Sequence, residues 1–273
     1  MLNVGINGFG RIGRTAARAM LDRKGLLLVG VNDLTEPKIL AHLLKHDSVF
    51  SDWNHKVVAG KDHLKIDGRI VPVFTQTDPA QIPWAKMKVD VVIESTGRFT
   101  KLEDARKHLA AGAKRVVISA PSEDAPTFLI GVNHETYTKN DTVVNNASCT
   151  TNSVAPVAQI LEEAIGVKKA MMTTIHSVSA EQNLADGLPP AHHPDLRRAR
   201  SALVNLVPTS TGAAKAAGKV VEALNGKFDG IAVRVPTIDV SLTDFTFVTK
   251  RATTVEEVNE IFVQAAKIPR WKR

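Results

Sequence analysis

The run Gly8-Phe9-Gly10-Arg11-Ile12-Gly13 sits between a strand-like segment, Leu2-Asn3-Val4-Gly5-Ile6, and an amphipathic stretch over 10–23. No other part of the chain restricts the fold as strongly. The first glycine allows a tight turn, the second lets backbone approach a pyrophosphate, and the third lets a helix pack closely on the strand before it. Alone, such a pattern is weak. Here a second β-branched run over 26–32 follows and ends at Asp33, about 20 residues beyond the last glycine, where a ribose-binding carboxylate belongs. A carboxylate there accepts a bond from a 2′-hydroxyl and repels a 2′-phosphate, so NAD is expected over NADP.

The alternation continues through the first half. Strands are predicted over 3–7, 26–32, 89–95, 115–119 and 142–145, and helices over 10–23, 37–45 and 101–111. Strand–helix alternation of this kind builds parallel βαβ units, so the fold class is α/β with a doubly wound parallel sheet. Two short strands about Asp67-Gly68, a hairpin dipeptide, form a small antiparallel excursion. Beyond residue 149 the pattern becomes α+β, with a mainly antiparallel mixed sheet. A helix is expected to end near Gly166, followed by a strand over 168–178 and an irregular stretch over 179–201. Further strands are read over 202–207, 228–235 and 237–250, with helices over 211–224 and from about Thr254. The expected domains are 1–148 and 149–273.

The one cysteine, Cys149, lies in Asn146-Ala147-Ser148-Cys149-Thr150-Thr151-Asn152, with a hydroxyl on each side. Apolar Val154, Val157, Ile160, Leu161 and Ala164 follow at helical spacing. A thiol at a helix N-terminus meets the positive end of the dipole and free N–H groups, which favour the thiolate, the nucleophilic form. Pro156 inside the helical pattern is expected to kink it or leave a carbonyl unsatisfied. His176 ends the strand-like run Met171-Met172-Thr173-Thr174-Ile175-His176. A helix of about fifteen residues travels roughly 22 Å, and about eight strand residues return roughly 26 Å. An antiparallel return therefore brings His176 beside Cys149 as a base.

One cysteine excludes a disulfide framework, and the nine histidines form no His-Glu-x-x-His pattern, so no metal is expected. The chain shows no bilayer-length apolar stretch and no charged leader, which points to a reducing, cytoplasmic compartment. A net charge of +7 suits a protein that handles anions, whether phosphorylated metabolites, nucleotides or nucleic acid.

Taken together, these runs resemble the glyceraldehyde-3-phosphate dehydrogenase family. The matching segments are Gly5 through Arg14, Val31-Asn32-Asp33-Leu34, His42 through Ser48, Glu94-Ser95-Thr96-Gly97-Arg98-Phe99, Ala147 through Asn152, and Pro208 through Lys215. The resemblance implies a Cys149 nucleophile with His176 as base and orienter, hydride transfer to NAD, and a thioester cleaved by inorganic phosphate. The backbone N–H of Cys149 is the natural oxyanion donor. It further implies an NAD site from Asn7, Gly8, Phe9, Gly10, Arg11, Ile12, Gly13, Asp33, Leu34, Thr96, Gly97 and Ser119. Ser179, Glu181 and Arg234 match the site for the substrate phosphate, and Ser148, Thr150, Arg198, Thr211 and Gly212 the site for the attacking phosphate. Glyceraldehyde 3-phosphate and inorganic phosphate are the implied partners, in a homotetramer whose subunits meet through the 179–201 loop. Nucleic acid is not required, nor is a membrane.

Three features depart from the family. Most members carry Thr and Asp where this chain has Ser179 and Glu181, Ser153 replaces a usual second cysteine, and extra residues surround Gly187-Leu188-Pro189-Pro190. The family also continues past the position matching Arg273 with further strands and a final helix, so exposed strand edges and an exposed apolar face on the first domain are expected. Two other readings stay open at this level. One is an erythrose-4-phosphate dehydrogenase, in which water cleaves the thioester; the other is a non-catalytic protein that only binds nucleotide.

Overall fold

A computed structural model of the chain describes residues 1–189 and 195–272 and divides into two compact units. The first comprises Met1–Thr127 and Tyr137–Asn146, the second Phe128–Thr136 and Ala147–Arg273. The division expected from the sequence lies between 148 and 149, with 128–136 in the first domain. Part of the 179–201 loop, including Pro190, lies outside the described residues.

The first unit holds β1 (Leu2–Asn7), α1 (Arg11–Leu21), β2 (Leu26–Asn32), α2 (Pro37–Lys45), β3 (Val57–Ala59), β4 (His63–Ile66), β5 (Arg69–Phe74), β6 (Val91–Glu94), α3 (Leu102–Ala110), β7 (Arg115–Ile118) and β8 (Val143–Asn145). Its eight strands run in the order β3-β4-β5-β2-β1-β6-β7-β8. All pairings from β5 to β8 are parallel, while β3-β4 and β4-β5 are antiparallel. The hairpin turn is Asp67-Gly68 with both φ angles positive, as a two-residue turn between right-twisted strands requires. Alternate residues of β1 serve opposite faces. Val4 and Ile6 join Ala17 and Met20 of α1 and Leu40 and Leu44 of α2, whereas Gly5 faces Trp84, whose ring a Cβ would meet at 2.8 Å. The second face carries Ile82, Trp84, Val92, Ala105 of α3 and Val116. Both faces are covered, so a continuous apolar strand such as Leu26-Leu27-Leu28-Val29 is accommodated. Strand order reverses between β1 and β6, the switch point at whose carboxyl ends such sheets bind ligands.

The second unit holds α4 (Cys149–Ile165), β9 (Val167–Ser177), β10 (Val207–Ser210), α5 (Ala213–Val220), β11 (Phe228–Val235), β12 (Ser241–Thr249) and α6 (Val255–Ala265). The sheet order is β10-β11-β9-β12, antiparallel at both ends and parallel between β11 and β9. Helices α4, α5 and α6 cover one face with Ala158, Leu161, Ala214, Ala217, Ile261 and Phe262, packed on Ala170, Met172, Phe228, Phe245 and Phe247. The opposite face leaves Met171, Ile231, Leu242 and Val248 exposed. Helix α4 runs through Pro156 without interruption.

One expected strand is corrected. Residues 202–206 do not form a strand; pairing begins only at Val207, opposite Arg234, and Leu203, Val204 and Leu206 are exposed. An apolar run becomes a strand only where a neighbouring edge accepts its ladder, and of this segment only Val207 finds a partner on β11. The 211–224 helix is also shorter than expected, ending at Val220 before a single 3-10 turn over Glu222–Leu224.

Candidate functional site

At the carboxyl ends of β1, β2 and β6 lies a cavity of about 300 Å³, lined by Asn7, Gly8, Gly10, Asn32, Asp33, Leu34, Gln76, Thr77, Ser95, Thr96, Arg98 and Phe99. Gly8 has φ +88, and a Cβ there would stand 2.6 Å from Thr96 N. A Cβ on Gly13 would collide with the Gly8 carbonyl, which explains the close strand–helix contact. Gly10 caps α1 with no side-chain bond, no acid occupies the first turn, and a Cβ on Gly10 would meet nothing within 4 Å. Open backbone at an uncapped helix start is a cradle for an anion such as a pyrophosphate. Asp33 holds the loop: its Oδ2 accepts from Phe9 N at 2.7 Å and its Oδ1 from Thr35 N at 3.0 Å. A carboxylate has about four acceptor sites, so capacity for a ribose hydroxyl is left. These residues fit a dinucleotide.

Of the expected cofactor residues, Asn7, Gly8, Gly10, Asp33, Leu34 and Thr96 line this cavity. Phe9 contributes only backbone, because its side chain is buried in the core. Arg11 and Ile12 are exposed on the first turn of α1, and Gly97 has φ +71 next to Thr96. Ser119 follows β7 and donates its N–H to Glu94 O, just before Ser95 and Thr96 of the lining, without lining the cavity itself.

The floor of the cavity rests on a buried polar chain that sequence reading missed. Glu94 Oε2 accepts from Asn7 Nδ2 at 2.6 Å and from His108 Nε2 at 2.9 Å; Glu94 Oε1 accepts from Thr96 N at 2.8 Å and Thr96 Oγ1 at 2.5 Å. Trp84 Nε1 donates to His108 Nδ1 at 3.0 Å. An indole N–H only donates, so Nδ1 is the acceptor and the His108 proton lies on Nε2, facing Glu94. Asn32 Nδ2 then donates to Asn7 Oδ1 at 2.8 Å. Glu94 stands in a run quoted above, but its partners 14 and 24 residues away carry no motif.

In the second unit, Ser148 caps α4 by accepting from Thr151 N at 3.0 Å, which sets Cys149 as the first helical residue. His176 shares the face of β9 that bears Ala170, Met172 and Thr174, the face beneath α4. Its Nε2 lies 3.3 Å from Cys149 Sγ. The hydrogen bond from His176 is the main force drawing the thiol from 9.0 to about 7; burial opposes it, and the Thr150 hydroxyl and N–H assist. The sulfur opens into a cavity of about 240 Å³ lined by Cys149, Thr150, Ser153, His176, Ser177, Asp239, Val240, Ser241 and Thr243. Ser177 and the last four were not anticipated; Val240 has φ +66, a strained value for a β-branched residue.

Behind the imidazole stands Arg234, placed there by the parallel register Arg234↔His176 between β11 and β9. Its Nη1 lies 2.6 Å from His176 Nδ1 and donates to Ser177 O at 2.9 Å, while its Nε is buried without a partner. Burial, then the like charge of Arg198, push the guanidinium below its ordinary value. Ser179 Oγ reaches Glu181 Oε1 at 3.5 Å, and Glu181 accepts from Arg198 Nη1 at 2.7 Å. Arg198 Nε donates to Thr209 Oγ1 at 3.0 Å. One ion pair therefore joins residues expected at two separate anion sites. Thr211 Oγ1 accepts from Ala213 N at 3.1 Å next to the capping Gly212 of α5, and Thr151 Oγ1 reaches Ala213 O at 3.4 Å. The starts of α4 and α5 meet there, close to Ser148 and Thr150. A thiol lowered by a histidine, flanked by helix N-termini and arginines, can form and hold acyl esters of anionic substrates. No group of three or more His, Cys, Asp or Glu side chains among the described residues is placed to hold a metal.

Comparison with known proteins gives a consistent result. The profile described as Glyceraldehyde 3-phosphate dehydrogenase, NAD binding domain, matches residues 2–102, and that of the C-terminal domain matches 148–272. Glyceraldehyde-3-phosphate dehydrogenase 1 of Bacillus cereus is 52% identical over 269 residues, covering 98% of this chain and 79% of the relative. The enzyme of Ogataea parapolymorpha is 47% identical over 268 residues (98% and 79%), and that of Zymomonas mobilis 49% over 269 (97% and 79%).

Proposed function

The chain belongs to the glyceraldehyde-3-phosphate dehydrogenase family, and from that premise we propose that it oxidises glyceraldehyde 3-phosphate with NAD and inorganic phosphate to 1,3-bisphosphoglycerate. The observation that carries the reading is the Cys149–His176 contact of 3.3 Å at the start of α4.

Cys149 thiolate adds to the aldehyde carbon, and the resulting oxyanion, directed to the N–H of Cys149, takes a proton from water to give the thiohemiacetal. His176 Nε2 takes the hydroxyl proton as the carbon is oxidised, leaving a thioester on Cys149. NAD, when bound, supplies the two-electron acceptor. Phosphate then attacks the thioester carbonyl, the C–S bond breaks, and Cys149 leaves as thiolate with an acyl phosphate as product. Energy of oxidation is thus kept in an activated ester. Asn7, the Gly8 to Gly13 loop, Asp33, Leu34, Thr96, Gly97 and Ser119 hold the dinucleotide. Ser179, Glu181 and Arg234 take the substrate phosphate; Ser148, Thr150, Arg198, Thr211 and Gly212 take the attacking phosphate, supported by the meeting helix starts.

The protein acts as a homotetramer in the cytoplasm. Support for self-association comes from the exposed Met171, Ile231, Leu242 and Val248 on one sheet face and from Leu203, Val204 and Leu206 beside it. No helix among the described residues is long and apolar enough to cross a membrane. NADH formation from glyceraldehyde 3-phosphate, with and without phosphate or arsenate, tests the reading. Stimulation by either anion is expected. Turnover of erythrose 4-phosphate without stimulation assigns the hydrolytic alternative, and NAD binding without any NADH burst leaves only a nucleotide-binding protein.

A further inference from the structure

The side of His176 turned away from Cys149 holds two partners that cannot both be served. Nδ1 lies 2.6 Å from Arg234 Nη1 and 2.7 Å from Ser177 O. A guanidinium only donates and a carbonyl only accepts, whereas one ring nitrogen of neutral imidazole does one or the other. Arg234 Nη1 also donates to Ser177 O at 2.9 Å, so the carbonyl is supplied without the ring. Nδ1 is then an acceptor, and the imidazole proton lies on Nε2, directed at Cys149 Sγ. In this tautomer His176 is a donor that favours the thiolate. It has no lone pair facing the reaction, and so cannot take a proton there. Removing Arg234 from Nδ1 reverses the assignment: Nδ1–H donates to Ser177 O and Nε2 becomes a base.

Arg234 is suited to leave. Among the described residues no carboxylate lies within ion-pair distance of it, its Nε is buried without a partner, and the charge of Arg198 disfavours its present position. Glu181 and the Cys149 thiolate counter this charge; Glu181 is itself bonded to Arg198 at 2.7 Å, and the thiolate charge is consumed when the sulfur adds to the substrate. An incoming anion offers Arg234 the acceptor it lacks.

We propose that Arg234 is a positioning residue that sets the tautomer of His176, and that the substrate's anionic group, by drawing the guanidinium onto itself, turns His176 from a donor to the thiolate into the base of the reaction. The proton moves from Nε2 to Nδ1 through solvent, with no net gain or loss. This deepens, and rests on, the roles given above to Cys149 and His176. Aldehydes without a phosphate meet a nucleophile but no base, so they lose kcat as well as affinity.

The test reads the tautomer directly, by nitrogen NMR of 15N-histidine-labelled protein at a pH where neutral imidazole prevails, the His176 signals being identified by their loss in His176→Asn. The probe is glycerol 3-phosphate, which has the phosphate but no aldehyde; glycerol is the control. Unliganded protein is expected to carry the proton on Nε2, and saturating glycerol 3-phosphate to move it to Nδ1, with glycerol inert. Arg234→Met is expected to show Nδ1–H with and without the probe. If that variant fails to fold, the wild-type titration decides alone. A proton on Nδ1 in unliganded wild type, no change at saturation, or no calorimetric binding of the probe each overturns the proposal. Kinetically, glyceraldehyde is expected to show a kcat lower than its phosphate ester by about 10²-fold or more, the worth of a general base. A tautomer that switches in a protein with no turnover of glyceraldehyde 3-phosphate refutes the proposed function and leaves the switch standing. A fixed tautomer in an active enzyme refutes the switch alone.

Discussion

Replacing His176 by Asn removes the group chiefly responsible for bringing the Cys149 thiol from 9.0 to about 7. Burial, which raises the thiol, and the Thr150 hydroxyl and N–H, which lower it, remain and oppose one another, so the thiol of the variant returns toward 9.0. At pH 7 about half of the wild-type protein is thiolate against about one per cent of the variant, a difference of about 50-fold. The more basic thiolate is the better nucleophile; with a Brønsted slope of about 0.45, two pH units return about eightfold. The net loss at pH 7 is therefore only about sixfold, and the two profiles cross near about pH 8. The diagnostic quantity is the midpoint of the pH–rate profile, not a rate at one pH. An aromatic disulfide reagent with a coloured leaving thiolate reports it cleanly, because Cys149 is the only cysteine. Wild type is expected to rise through a midpoint near 7 and level off, with the variant rising near 9. A variant midpoint that stays near 7 refutes the assignment of His176 as the cause and shifts it to the helix start.

Asp33→Asn is expected to weaken NAD binding in calorimetry and narrow the preference over NADP about tenfold or more, since the repulsion of a 2′-phosphate goes with the charge; an unchanged ratio of the two affinities counts against the ribose role. Gly13→Ala drives a methyl into the Gly8 carbonyl and should cost about 1–3 kcal/mol in urea unfolding. Gly10→Ala, which meets nothing, should cost no more than about 1 kcal/mol yet weaken NAD. Trp84→Phe leaves His108 Nδ1 without its donor in a buried site and is expected to destabilise by about 1–3 kcal/mol beyond the change in ring packing; full stability in urea would argue against the buried chain.

Much of the first unit could be read directly. Strand β2 and helix α2 have the limits expected because the apolar run stops at Asn32 and Pro37 occupies the first helical turn, both local signals. The 202–207 run misled because Leu203, Val204 and Leu206 face outward; strand formation there depends on the edge of β11, which sequence does not display. The Cys149–His176 pair was legible from length matching alone, since a 17-residue helix and an 11-residue strand run out and back. The Arg234–His176 contact was not, because it depends on the parallel register of β11 on β9. Glu94, His108 and Trp84 likewise come together only through sheet packing, and the Glu181–Arg198 pair only through the course of the loop between them.

The claim that Cys149 carries the reaction as a thioester is tested most directly by intact mass. Protein, NAD and glyceraldehyde 3-phosphate are mixed with phosphate withheld, then quenched in acid. One 3-phosphoglyceroyl group on Cys149 is expected, lost on adding phosphate and absent from Cys149→Ser. NADH formation without that adduct, or undiminished in Cys149→Ser, contradicts the account.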